Sequence, residues 1–244
     1  MAVKSMSLDD LKPFNPREKV IEYLMEDEAQ LAVQQRLIRM RVKDFAAETA
    51  SESAAPGGGS ISAYMGALGA ALATMVANLS AHKRGWDDRW KEFSDVADAG
   101  QQVMAELLAL VDEDTAAFNR IMDVFAMPKG TAEEKAARAA ALEAATLNAA
   151  QVPLRTMEAA LRALPLAKAM AEKGNPASAS DAGVAALAAV AALRGAELNV
   201  RINAASLQDK SVAEPLLAHA REMVEQGLAL QDAILETVNR HIEL

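Results

Sequence analysis

Pro56-Gly57-Gly58-Gly59-Ser60 opens a stretch that runs on through Ile61-Ser62-Ala63-Tyr64-Met65-Gly66-Ala67-Leu68-Gly69-Ala70 to Ala81 without one formal charge. Three glycines after a proline make a loop whose backbone can approach another group closely. Residues 61–81 read as a helix of Ala, Gly, Ser and Leu, kept thin by Gly66, Gly69, Ala70 and Ala73. A helix apolar all round belongs inside protein or lipid. Its length meets that of a membrane span, roughly 20 residues. Its composition argues for protein instead, because Ala, Gly and the polar Ser62, Thr74, Asn78 and Ser80 gain little from lipid. A glycine loop opening a buried helix is also where anionic ligands dock, so the segment points to a site as well as to a fold.

The remaining sequence supports an all-α, up-and-down multi-helix bundle with two buried Ala/Gly-rich helices. The chain has 244 residues and is 52% hydrophobic but only 4% aromatic, so the core must come from Ala, Leu, Val, Ile and Met. Such cores bury less area per residue, and pairing with a second subunit is a natural remedy. After residue 40 the apolar period is helical throughout, and no run alternates with strand period. Residues 1–40 form a polar N-terminal arm with a short helix over 17–25, and residues 41–244 form the helical domain. Within the domain, a short amphipathic helix is expected over 42–49, the buried helix over 61–81, and a long amphipathic helix over 87–126. Thr131 with Glu134 has the form of a capping box for the next helix. Pro153 is expected to kink or divide that helix, and Gly174-Asn175-Pro176 to end it. A second buried helix over 182–204 is expected to take its cap from Ser178 or Ser180, and a last amphipathic helix covers 213–242. Short loops between them predict antiparallel neighbours.

Charge and cysteine content exclude several functions. A net charge of −9 argues against nucleic acid as a partner. The absence of cysteine removes disulfides, thiol nucleophiles and thiolate metal sites, and fits a cytoplasmic protein. His82, His219 and His241 show no metal-ligand spacing, so no metal is expected. The glycine loop lacks the Gly-Lys-Ser/Thr ending of a nucleotide-binding loop.

One residue breaks the pattern of the long helix. Phe93, Val96, Val103, Leu107, Leu110, Val111, Phe118, Ile121 and Phe125 share one stripe, and Asp114 falls within it. Asp112 lies two positions away, about 200° around the axis, on the polar side with Glu113, Asn119 and Asp123. A carboxylate in an apolar stripe must be paired, protonated or lining a wet cleft. Partial burial would raise its pKa and suit it to proton transfer near neutral pH, while a structural hydrogen bond to a neighbouring helix fits the same pattern. Asn199 and Asn203, four residues apart, could hold a polar heterocycle or simply bond a facing helix. Asp181 could serve a ligand or complement a helix N-terminus; it lies about 27 Å from Asn199 along a straight helix, so the two cannot grip one small group within a protomer. His82-Lys83-Arg84 form a cationic cluster at the far end of the first buried helix.

Taken together, Ala55-Pro56-Gly57-Gly58-Gly59-Ser60, Gly66-Ala67-Leu68-Gly69, Leu110-Val111-Asp112-Glu113-Asp114 with Ala117-Phe118, Val152-Pro153-Leu154, Gly174-Asn175-Pro176 with Ser180-Asp181-Ala182-Gly183, and Leu198-Asn199-Val200-Arg201-Ile202-Asn203 resemble the cyclodeaminase/cyclohydrolase family of folate enzymes. The resemblance covers roughly residues 42–205. It implies an all-helical dimer that closes the formimino group of 5-formiminotetrahydrofolate onto N10, releasing ammonia and giving 5,10-methenyltetrahydrofolate. It carries the catalytic carboxylate over onto Asp114, the residue the stripe also singles out. It further implies substrate contacts from Gly57, Gly58, Gly59 and Ser60, with Lys83, Arg84 or Lys129 meeting the glutamate tail and Asp181, Asn199 and Asn203 as further binding residues. Tetrahydrofolate is the substrate carrier, and no metal or organic cofactor is implied. Methenyltetrahydrofolate cyclohydrolase is the alternative activity, and a non-catalytic folate-channelling subunit docked on a separate formiminotransferase is a second alternative. The arm at residues 13–40 resembles the lead-in of fused or split bacterial cyclodeaminases and favours that activity. Glu197 departs from the family pattern before Leu198-Asn199-Val200.

Overall fold

The computed structural model describes residues 36–242, which contain six α-helices and two short 3-10 turns. The helix expected over 17–25 lies outside the described residues. A boundary between two compact units falls after Ala47. In the first unit a 3-10 turn, Leu37–Arg39, precedes the start of α1 (Val42–Thr49), where Arg41 pairs with the first-turn Asp44.

The second unit holds α2 (Gly58–Ala81), α3 (Trp90–Ala126), α4 (Ala132–Lys173), α5 (Ala179–Ser206) and α6 (Lys210–Ile242). The charge-free run forms α2, which packs against α3, α5 and α4. Small residues set the closeness of that packing. A Cβ on Gly69 would stand 2.8 Å from the Ala185 carbonyl oxygen, so the two backbones touch there. Gly58 lies beside Asn199, Gly66 beside Ala192, and Gly69 beside Ala185 and Ala189, which fixes α2 and α5 antiparallel. Ser60 facing Asp114 and Thr74 facing Gly100 fix α2 and α3 antiparallel as well. The polar residues of α2 are absorbed by its own backbone: Ser62, Thr74 and Ser80 each donate to the carbonyl four residues back. Both α2 and the stretch Pro176–Ser206 are long and apolar enough to cross a membrane by length and composition. In each, more than half of the most apolar window is buried inside the protein, the setting of core helices.

Local signals set most helix ends. The capping box at Thr131 and Glu134 is present, and Glu134 also accepts from the Gly130 N–H. Gly174 caps α4 at its C-terminus. Two expectations are corrected. Pro153 does not divide α4, which runs unbroken through both Pro153 and Pro165. Val152, Pro153 and Leu154 are all buried, so core packing outweighs the lost backbone bond. Neither serine caps α5 with its side chain: Ser178 occupies the cap position without a cap hydrogen bond, and Ser180 lies inside the helix. The side chain that does cap is Asn175, which accepts from the Ala177 N–H at the preceding 3-10 turn.

The stripe on α3 is core for only part of its length. Phe93, Val103, Leu107, Leu110 and Val111 are buried, whereas Phe118 and Phe125, with Met122 beside them, are exposed. Beyond Asp114 the helix still buries Ala117 and Val124, but its larger apolar side chains Phe118, Met122 and Phe125 are exposed.

Candidate active site

Asp114 reaches from α3 to the first turn of α2. Its Oδ2 accepts from the Ser60 backbone N–H at 2.8 Å and lies 3.0 Å from Ser60 Oγ. Gly57, the N-cap of α2, is extended and has no side chain to satisfy the opening amides. Asp114 does so from another helix, and its charge complements the positive end of the α2 dipole. Ser60 is fully buried, and its hydroxyl also lies 2.9 Å from the Val111 carbonyl oxygen and 3.3 Å from Thr115 Oγ1. The hydroxyl has one proton to give, to Val111 or to Asp114. When it donates to Val111, it is free to accept from a protonated Asp114.

Gly59 makes room for the second carboxylate oxygen. A Cβ there would fall 2.1 Å from Asp114 Oδ1. Among the described residues no hydrogen bond holds Oδ1. Burial pushes the Asp114 carboxyl above the ordinary aspartate range, and the Ser60 hydroxyl and N–H partly offset that rise. The result is a carboxyl anchored through one oxygen at the border of a cavity, with its affinity for a proton increased.

That cavity, about 140 Å³, is bordered by the glycine loop, Asp114, Thr115, Phe118, Asn199 and Asn203. Asn203 donates to the Ala149 carbonyl of α4 at 2.7 Å, and Asn199 to the Gly195 carbonyl of its own helix at 2.9 Å. The facing-helix reading thus holds for Asn203, and both amides still edge the cavity. Gly57, Gly58, Gly59, Asp114, Asn199 and Asn203 are brought together.

Other expected site residues lie elsewhere. Ser60 is fully buried and does not border the cavity; its N–H and hydroxyl meet Asp114. Lys83 and Arg84 follow the opposite end of α2, about 36 Å from Gly58 at 1.5 Å per residue. There Lys83 sits over the Trp86 ring at 4.1 Å. Asp181 opens α5 at that same remote end, because α2 and α5 are antiparallel. Lys129 lies beyond the end of α3, about 18 Å of helix past Asp114. Thr115, Ile121 and Ile202 border the cavity without having been singled out from the sequence. Ile202 stands next to Asn203 in a quoted motif, but apolar residues on a mostly apolar helix carry no distinguishing mark.

Losing the Ser60 hydroxyl has a definite expected outcome. Ser60→Ala keeps the backbone donor but removes a hydrogen bond that favours the ionised carboxylate, so the Asp114 pKa rises further. The acid limb of the kcat/KM profile is expected to move to higher pH, with kcat/KM near neutrality falling about tenfold. An unshifted acid limb would remove Ser60 from control of Asp114.

Over residues 41–222 the sequence matches the family described as Formiminotransferase-cyclodeaminase. The chain belongs to this family. It is 38% identical over 201 residues to Methenyltetrahydrofolate cyclohydrolase of Methylorubrum extorquens, covering 82% of this chain and 97% of that one. It is 36% identical over 209 residues to Formimidoyltransferase-cyclodeaminase of Mus musculus, covering 86% of this chain but 38% of the mouse protein. The solved structure of formiminotetrahydrofolate cyclodeaminase from Thermotoga maritima superposes with a TM-score of 0.74 at 26% identity, covering 84% of this chain and 98% of that one. The all-helical fold is thus the cyclodeaminase fold. Every residue bordering the Asp114 cavity falls within the span matched by the Formiminotransferase-cyclodeaminase family.

Proposed function

We propose that the protein is a formimidoyltetrahydrofolate cyclodeaminase in which Asp114 transfers the proton that ring closure must move. The observation that carries this reading is the tethered, partly buried Asp114, held through Oδ2 by Ser60 at the border of the cavity. In the protonated formimino substrate, N10 attacks the formimino carbon, already bonded to N5 and to the imino nitrogen, and forms a third C–N bond there. The adduct carries an extra proton on N10 and an amino group on the former formimino carbon. Ionised Asp114 takes the N10 proton and returns it to that amino group, which departs as ammonia. The electron pair on N10 then completes the cationic methenyl bridge. No metal or organic cofactor enters the step, and tetrahydrofolate is only the carrier.

Methenyltetrahydrofolate cyclohydrolase is the second reading, favoured by the match along nearly the whole length of the Methylorubrum extorquens enzyme. The same carboxylate would take a proton from water as it adds to the methenyl carbon. Supplying 5-formiminotetrahydrofolate and 5,10-methenyltetrahydrofolate separately to the pure protein distinguishes the two. Gain of methenyl absorbance with ammonia release supports cyclodeaminase; loss of methenyl absorbance at a catalysed rate, without activity on the formimino compound, replaces it with cyclohydrolase.

We further propose a cytoplasmic homodimer, supplied with substrate by a separate formiminotransferase. The support for the dimer is α2, which carries no charged residue yet exposes Leu68, Met75 and Leu79 beside an open groove of about 500 Å³ against α3. An uncharged exposed strip of this kind marks an interaction surface. Sedimentation at micromolar concentration is expected to give a dimer, and Leu68→Glu with Met75→Glu a monomer; a monomeric parent protein would sink the dimer.

A further inference from the structure

The Asp114 cavity is too small for the substrate proposed above. Pockets that bury a drug-sized ligand start at about 300 Å³, and this one measures about 140 Å³. It accommodates the reacting ring region, and the remainder of a reduced folate must leave along the adjoining surface. That remainder is an aryl ring carrying a glutamate with two carboxylates.

One adjoining surface matches this chemistry. Between α5 and α6 lies a groove of about 740 Å³, and Ile202 borders both it and the Asp114 cavity. Ile202 and Leu198 are 67% and 59% exposed. With Leu217 from α6 they give the groove an apolar floor. Two guanidinium groups border it, Arg201 from α5 and Arg221 from α6. Arg201 is held loosely by Glu197, 3.6 Å away, which places a role on the residue that departs from the family pattern. Arg221 makes no ion pair among the described residues. Glu197 borders the groove as well, so two arginines and one carboxylate leave its lining with one net positive charge in a chain of net charge −9.

We propose that this groove receives the aryl-glutamate arm of the folate, with Leu198, Ile202 and Leu217 against the ring and Arg201 and Arg221 meeting the carboxylates. The inference rests on the folate reading above and adds the path by which the substrate leaves the cavity. Arginine suits the task because its planar fork binds a carboxylate through two parallel hydrogen bonds.

The test uses the full chain and two non-reacting probes, 5-formyltetrahydrofolate and 5-formyltetrahydropteroate, which differ only by the glutamate. Titration calorimetry is expected to show the parent protein binding the glutamate-bearing probe about tenfold or more tightly, as charge-assisted contacts allow. In Arg201→Gln/Arg221→Gln this preference is expected to collapse while affinity for the pteroate probe is retained, which also reports that the variant is folded. Lys83→Gln/Arg84→Gln, at the remote end of α2, is expected to keep the preference. A parent protein without preference, a double arginine variant that retains it, or its loss in the Lys83/Arg84 variant each overturns the groove assignment and leaves the folate reading standing. A parent protein that binds neither probe overturns both.

Discussion

Asp114→Asn is expected to lower kcat by about 10²–10⁴-fold, the usual contribution of a positioned acid–base group, without loss of stability. The asparagine carbonyl can still accept from the Ser60 N–H and hydroxyl that now hold Oδ2, so the α2–α3 junction remains closed. The stability argument follows from the direction of the pKa shift. Burial raises the Asp114 pKa in the folded protein, so the folded chain holds this proton more tightly than the unfolded chain. Above the folded pKa the buried charge lowers stability, and protonation relieves that cost as pH falls through it. Asparagine removes the charge. Its Tm at neutral pH is therefore expected to equal or exceed that of the parent, with the difference closing on acidification. Turnover near the parent rate in a folded variant would take Asp114 out of the chemistry; a variant that fails to fold would assign it a structural role.

Gly59→Ala is expected to damage both activity and stability, because it intrudes directly on the carboxylate proposed to carry the proton. Its new Cβ would stand 2.1 Å from Asp114 Oδ1 and 2.5 Å from the carboxyl carbon, separations that no real contact tolerates. Either Asp114 swings out, breaking its bonds to Ser60, or α2 shifts at its first turn. A displacement of about 1 Å at a catalytic group is enough for a loss on the order of 10²-fold. Forcing the extra carbon into the junction is expected to cost about 1–3 kcal/mol. Combining Gly59→Ala with Asp114→Ala isolates the cause, because the truncated side chain frees the space. The double variant is expected to be about as stable as Asp114→Ala alone, a non-additivity that marks direct contact. Additive losses in Tm, or a Gly59→Ala enzyme with activity within a few-fold of the parent, would refute the clash.

Much of the architecture could be read from residue order because it depends on local pattern. The charge-free run became α2, and the helical stripe on α3 identified Asp114 as the inward carboxylate. What escaped was decided by contacts distant in sequence. Ser60 stands 54 positions before Asp114, so no local pattern marks it as the tether of that carboxyl. Pro153 has the local chemistry of a break, yet the buried Val152, Pro153 and Leu154 keep α4 continuous. The period that placed Phe118 and Phe125 on the apolar stripe does not record where neighbouring helices stop covering it. For Lys83 and Arg84 the decisive quantity is length: α2 is 24 residues long, which separates its start from these cations within one protomer.

The backbone contact between Gly69 and Ala185 has a mechanical consequence. Where two helices meet without intervening side chains, neither can roll or slide without driving a main-chain oxygen into the other. The pair acts as a stiff spar, which holds the glycine turn at the start of α2 at a fixed spacing from Asn199 near the end of α5.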